Sequence, residues 1–357
     1  MKRAHGFSMI ELLVGLAIGT FVIIGVVFVY SQSRTTYSIN ETQARLQENA
    51  RYVLAVLEPD IQLAGNYGFS NSANDLMWGP TQTFAADLEP SDTARGPAAV
   101  HSCGNNFAVN VLMAVDGSND SYSPYMGCAV AALAGAALAN TDVLTIRRAS
   151  TEPVAASIAR VQIYSNRLLK TQQQIFNSNT APGVIDNWHE VRSLMFRSYY
   201  VGQSSGSRTN FPTLWRKNLG TDGAAPAVQD EEIMPGVEDF QVQFGIDTGD
   251  RNGDGIPDTD VLEPFGVPDN LNGVISRWVQ AGDVLTKSVA AGGINAQVVA
   301  VRVWLRIRAE QPEVGFTDTR TYTYAGRPAW TPPAGAVANT RRILVTRTFF
   351  VRNARVF

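Results

Sequence analysis

Three groups of side chains have the types and spacing that chemistry would need. The run Asp250-Arg251-Asn252-Gly253-Asp254-Gly255-Ile256-Pro257-Asp258 sets oxygen-bearing side chains at its first, third, fifth and ninth places, with glycine at the sixth. Hard Ca2+ is held by many oxygens in a sharply turned loop, so Asp250, Asn252, Asp254, Asp258 and the Ile256 carbonyl form a candidate calcium site. Asp247, Asp260 or Glu263 could complete the shell. The simpler alternative is a solvated acidic turn, because Asn-Gly and Asp-Gly reverse the chain unaided. Cys103 and Cys128 are the only cysteines. In an oxidising compartment they would close a disulfide; zinc held with His101 is the alternative, but it lacks a fourth nearby ligand and CxxC spacing. Glu11 stands at the edge of a long apolar run, where a carboxylate is costly unless another group pairs with it.

Hydrolytic chemistry is not expected. Gly202-Gln203-Ser204-Ser205-Gly206 fits the GxSxG pattern, yet the residues after it, Ser207 to Pro212, cannot open the helix that a nucleophile elbow requires. No histidine follows His189, and there is no HExxH, phosphate loop or dinucleotide fingerprint. With three histidines in all, acid-base catalysis has few candidates, and the chain reads as a non-enzyme.

The elements that would position these residues begin with a membrane segment. Leu12 to Tyr30 is a run of nineteen residues whose only polar side chains are Thr20 and the tyrosine. At a rise of roughly 1.5 Å per residue it extends about 29 Å, the thickness of a bilayer's hydrocarbon core. Lys2 and Arg3 precede it and the next basic residue is Arg34, so the positive-inside rule keeps the N-terminus cytoplasmic and exports the rest. A cleaved secretory signal fits less well, because the apolar run is long and Ser31-Gln32-Ser33 is a weak cleavage site. No Gly or Pro interrupts Val26 to Glu58, and apolar positions recur at Leu46, Ala50, Val53, Leu54, Leu57 and Ile61, the stripe of an amphipathic helix packed on a sheet. Pro59 is expected to kink or end it.

Lys2-Arg3-Ala4-His5-Gly6 followed by Phe7-Ser8-Met9-Ile10-Glu11 resembles the class III signal of type IV prepilins. The resemblance implies that prepilin peptidase cuts between Gly6 and Phe7, that the new N-terminal Phe7 is N-methylated, and that Glu11 is the glutamate pairing with a neighbouring subunit's amine during assembly. Such pairing offsets the desolvation of both charges. Arg45 to Leu54 and Asp60 to Gly68 are similar to the PilW family of minor pilins, with a weaker echo in the C-terminal strands. That likeness implies a large minor pilin, present in few copies, that primes type IV pilus assembly and stays near the tip. Its implied partners are other minor pilins, the major pilin, prepilin peptidase, the inner membrane and a pilus-tip adhesin. Twitching motility and cell adhesion would depend on it. The pseudopilins of type II secretion share the same signal and are the nearest alternative; a membrane-anchored calcium-dependent adhesin or enzyme is the alternative of another class. The acidic loop is likewise similar to the calcium loops of dockerin and thrombospondin repeats, with Val261 where an EF-hand has Glu.

The chain has 357 residues, 45% hydrophobic and 17% charged, which excludes disorder and leaves material for one large domain or two ordinary ones. Val299, Val301, Val303, Leu305 and Ile307 alternate with mainly polar residues, and 237–246, 142–148, 194–201 and 343–351 read as further strands. The expected fold is α+β and pilin-like, a long N-terminal helix on a large antiparallel sheet. Its divisions are a leader at 1–6, a membrane half of the helix at 7–30, an amphipathic half at 31–68 and an exported β-rich domain at 69–357. The domain's size leaves room for two lobes meeting near 205–235. The resemblance to minor pilins implies that it starts as a single-pass inner-membrane protein with its domain in the periplasm and then moves into the fibre. The 29 basic and 32 acidic side chains give a net charge of −3, which argues against nucleic acid; loss of the leader would make it −5. That average conceals a segment, 222–269, of net charge −12 and a C-terminal end, 298–357, of +7. Arg302, Arg306 and Arg308 share one strand face there, and pairing with the acidic segment is the expectation.

Overall fold

The computed structural model describes residues 8–71, 75–78, 83–84, 103, 105–122, 128, 137–169, 173–204, 211–248, 273–283, 296–335 and 337–354. They fall into two compact units, Met1–Glu48 and Asn49–Phe357. One helix, α1 (Met9–Gln62), supplies the described part of the first unit and opens the second. No proline falls inside its 54 residues before Pro59, and Gly15, Gly19 and Gly25 all lie in the apolar run, where backbone groups in an apolar setting can be satisfied only within the helix. Pro59 does not end it at once: the helix continues to Gln62, with Leu63 N donating to the Pro59 carbonyl at 3.2 Å. Proline removes only its own N–H bond, and one further turn follows before Gly65, at φ 74°, turns the chain. The helix therefore stops short of residue 68, the expected end of the amphipathic half.

The second unit is the expected β-rich domain, its strands divided between two sheets. Nine strands form the first: β1 (Leu76–Trp78), β2 (Thr83–Phe84), β3 (Val115–Ser118), β4 (Val143–Ala149), β5 (Gln162–Asn166), β6 (Gln173–Phe176), β7 (His189–Gln203), β8 (Pro212–Thr221) and β9 (Pro226–Pro235). Its path runs β2-β1-β6-β5-β7-β4-β3, with β8 and β9 continuing from β7. All its pairs are antiparallel except β1 with β6. The long β7 holds this sheet together, pairing β5 along its first half and β4 and β8 along its second.

Gly236, at φ 94°, separates β9 from β10 (Val237–Asp247), the first strand of a four-stranded antiparallel sheet ordered β11-β10-β12-β13. The others are β11 (Arg277–Gln280), β12 (Gln297–Arg308) and β13 (Arg342–Phe350). The apolar face read from Val299 to Ile307 is buried as expected, but burial does not alternate: on the other face Ala300, Trp304 and Arg306 are buried as well, and only Arg302 and Arg308 are half-buried. The α1 residues Val53, Leu57 and Ile61 are fully buried at steps of four, so the helical stripe packs as its spacing predicted.

Candidate functional site: a capped apolar helix and its anchor

The start of α1 is built from four consecutive residues. Ser8 precedes the first helical residue, and its Oγ accepts a bond from Ile10 N at 3.4 Å. Glu11 reaches back so that Ser8 N donates to its Oε2 at 3.0 Å. This reciprocal pair is a capping box, the S-x-x-E spacing satisfying helix-end donors that have no backbone partner. The expected role of Glu11 came from the resemblance to the prepilin signal and from its charge; its place at the third helical position, capping the helix, was not anticipated. Gly6 and Phe7, the expected cleavage and methylation residues, lie outside the described residues.

Beyond the cap, every large apolar side chain from Met9 to Tyr30 is exposed, from Val14 at 53% to Met9 at 82%. A helix apolar on all sides is stable only where lipid or other helices cover it. Thr20, the polar residue in its middle, satisfies its hydroxyl by donating to the Leu16 carbonyl at 2.8 Å. Gly15 and Gly19, four residues apart, have open space where a Cβ would stand, which lets another helix approach closely.

The other end of α1 is held by a buried charge cluster that the sequence reading missed. Asp60 has no exposed side-chain surface. Its Oδ1 accepts from Arg148 Nε and Nη2 at 3.1 and 2.8 Å, and Arg197 Nη1 donates to Oδ1 and Oδ2 at 2.7 and 2.8 Å. Tyr199 donates its hydroxyl to Oδ2 at 2.5 Å. Burial first, and then the Asp60 charge, push the Tyr199 hydroxyl well above its ordinary pKa, so it remains a donor. The carboxylate thus ties the last turn of α1 to β4 and β7. Glu58 meets Arg347 of β13 at 3.1 Å, a more exposed pair of small energetic weight.

Cys103 and Cys128 form a disulfide, with both residues buried and their backbones bridged antiparallel. Cross-linking residues 25 apart removes chain entropy from the unfolded state, an effect of about 3 kcal/mol. Urea unfolding with and without reductant should differ by about that amount, and a midpoint indifferent to reductant would contradict it. The expected calcium ligands Asp250, Asn252, Asp254, Ile256 and Asp258 lie outside the described residues; among those described, no three His, Cys, Asp or Glu side chains are grouped to hold a metal. In the GxSxG stretch, Ser204 donates to Glu232 Oε1 at 3.0 Å, while Ser205 and Gly206 lie outside the described residues.

The expected pairing of the acidic and basic segments is present. Glu238 meets Arg306, Arg308 and Arg342 at 3.4, 3.4 and 2.7 Å. Asp142, fully buried at the start of β4, accepts from Asp120 N at 2.8 Å and Val242 N at 2.7 Å, joining the two sheets. Burial pushes its pKa to about 7, helped by Asp120 and Asp239 and opposed by those two N–H bonds. A raised carboxyl favours the folded state most below its unfolded pKa and loses that contribution as pH climbs toward 7. The opposite case is Asp318. There burial is outweighed by Arg320 and Tyr322, which hold it at about 2, so its contribution is lost only on acidification through that value. The unfolding midpoint should therefore be a few degrees higher at pH 5.5 than at pH 8, and Asp142→Asn should flatten that slope. Equal slopes in both proteins would refute the assignment.

An exposed apolar helix with a carboxylate at its capped start, rooted by its far end in a β-rich domain, defines the pilin class of membrane-anchored fibre subunits. A family model described as prokaryotic N-terminal methylation motif matches residues 1–27, and one described as type IV pilus-assembly protein W matches 198–353. The second match runs from the latter half of β7 through the whole four-stranded sheet. No curated protein and no solved structure matches the chain. Together the two matches support a PilW-like minor pilin of a type IV pilus with a prepilin-type signal.

Proposed function

We propose that this minor pilin primes pilus assembly. It waits in the inner membrane with its β-rich domain in the periplasm, joins other minor pilins and then major pilin, and remains near the fibre tip, where it supports twitching motility and adhesion. It does so as a structural part rather than as an enzyme. The observation that carries the proposal is the fully exposed apolar helix whose one carboxylate, Glu11, stands at the capped start.

Prepilin peptidase would cut after Gly6, removing Lys2 and Arg3 and leaving a cationic amine at Phe7. The protein could then leave the bilayer sideways, its helix exchanging lipid for neighbouring helices. The apolar residues gain little from that exchange, since both surroundings are apolar; close packing and the pairing of Glu11 with a neighbour's amine supply the preference.

A deletion strain should lose most surface fibres and twitching, with both restored by the intact gene. Mass spectrometry of the purified protein should give a chain beginning at methylated Phe7. Normal piliation in the deletion strain, or an N-terminus at Met1 or near Ser33, would overturn the proposal. Normal piliation with loss of protein secretion would instead assign the chain to a secretion pseudopilus.

A further inference from the structure

Seven of the nine described arginines between 302 and 352 lie within salt-bridge distance of a carboxylate. Arg352, one exception, is exposed in a short turn at the end of the described chain. Arg302, the other, is half-buried in the middle of β12. Its guanidinium carbon lies 3.8 Å from the Trp278 ring centroid and 5.8 Å from that of Trp304. Nε donates to Thr348 Oγ1 at 3.3 Å, and neither terminal nitrogen has a partner among the described residues.

A guanidinium stacked on indoles gains cation–π energy through its faces and keeps its in-plane N–H groups available. Those edges match a carboxylate, which they can bind in a bidentate fork. The neighbours extend the match. Strand register places Gln280, Gln243, Arg302 and Thr348 in one row across β11, β10, β12 and β13. At a strand spacing of about 4.8 Å this row spans about 14 Å. Beside it, Trp278 and Phe350 close the two ends of the adjoining row, and Phe350 is 61% exposed. Amide and hydroxyl groups both donate and accept, as sugar hydroxyls do, while aromatic rings cover the C–H faces of sugars.

We propose that this face of the four-stranded sheet binds an acidic oligosaccharide, with Arg302 taking a uronate carboxylate and Gln243, Gln280 and Thr348 taking ring hydroxyls. The row of amides and hydroxyls favours a polyhydroxylated ligand over an acidic peptide, which would need one cation after another. The proposal deepens the adhesive part of the function above and is tested apart from assembly, by ligand binding to purified protein rather than by fibres on cells.

The full chain in detergent would be titrated by calorimetry with trigalacturonate, neutral maltotriose and a hexa-aspartate peptide. Trigalacturonate should bind saturably and at least tenfold more tightly than either of the others. Arg302→Lys keeps the charge but loses the planar fork, and should weaken that binding at least tenfold, whereas Arg352→Gln should leave it unchanged. Should Arg302→Lys fail to fold by melting, Gln243→Ala serves in its place: that side chain is half-exposed and makes no hydrogen bond among the described residues, and its loss should weaken binding severalfold. Absence of saturable trigalacturonate binding, equal binding of maltotriose, or indifference to the folded variant would overturn the proposal. Preference for the peptide would overturn it in favour of a protein partner.

Discussion

Asp60→Ala should lower the stability of the β-rich domain by about 3–5 kcal/mol, the cost of leaving a buried ion pair with one partner missing. The mechanism is specific. Arg148 and Arg197 approach the Asp60 oxygens between 2.7 and 3.1 Å, and Arg148 is largely buried, so removing the carboxylate leaves desolvated positive charge facing itself. Tyr199 also loses its acceptor. In a domain of this size each kcal/mol moves the midpoint by roughly 2–4 °C, so a fall of about ten degrees is expected in thermal unfolding of the full chain. Asp60→Asn keeps the volume and should cost nearly as much, because the charge is what the guanidiniums require. Adding Arg197→Met to Asp60→Ala should recover part of the loss by removing one stranded cation. A change below about 1 kcal/mol in the single variants would show that the cluster is solvated and not an anchor.

Such a cluster could not be read from sequence. Asp60 is separated by 88 residues from Arg148 and by 139 from Tyr199, and only closure of the nine-stranded sheet brings them together. What is local was legible. The steps of three and four residues from Ala50 to Ile61 announced the buried face of the helix, and the two-residue alternation of Val299 to Ile307 announced the strand and its apolar face, though not that Ala300, Trp304 and Arg306 on the other face are buried too. β7 was read only over 194–201, because its opening residues, His189 to Ser193, are polar apart from Val191 and half-buried apart from Val191, with no alternation to mark where the strand begins. The β8–β9 hairpin went unread although Asp222-Gly223 sits at its turn, where Asp222 Oδ1 accepts from Ala224 N at 2.9 Å and Ala225 N at 2.8 Å. Its strands are too mixed in polarity for a period of two to stand out. The division into two sheets at Gly236 depends on β10 preferring β12, sixty residues away, to its neighbour β9; no periodicity carries that choice. At the candidate site the charge of Glu11 was legible as an anomaly in an apolar run, while its capping geometry needed the helix start to be placed.

That geometry sharpens the second large effect. Glu11→Gln should abolish incorporation into fibres while leaving membrane insertion and cleavage intact, because glutamine keeps the cap and loses the charge. In the free subunit Glu11 accepts the Ser8 N–H bond, a contact that Gln at the same position can also make. Helix initiation is then preserved, and any defect must come from the missing partner for a Phe7 amine. Burying that amine without a counter-charge costs several kcal/mol, enough to shift a subunit from packed to unpacked by more than a hundredfold. Ser8→Ala is the complementary change: it removes a cap of about 1 kcal/mol but no charge, and should assemble at near-normal levels. Immunoblots of sheared fibres against membrane fractions separate the two roles. If Glu11→Gln enters fibres normally while Glu11→Ala does not, the carboxylate serves the helix start and the pairing argument fails. If both are excluded and Ser8→Ala is retained, the charge at position 11 selects the assembled state.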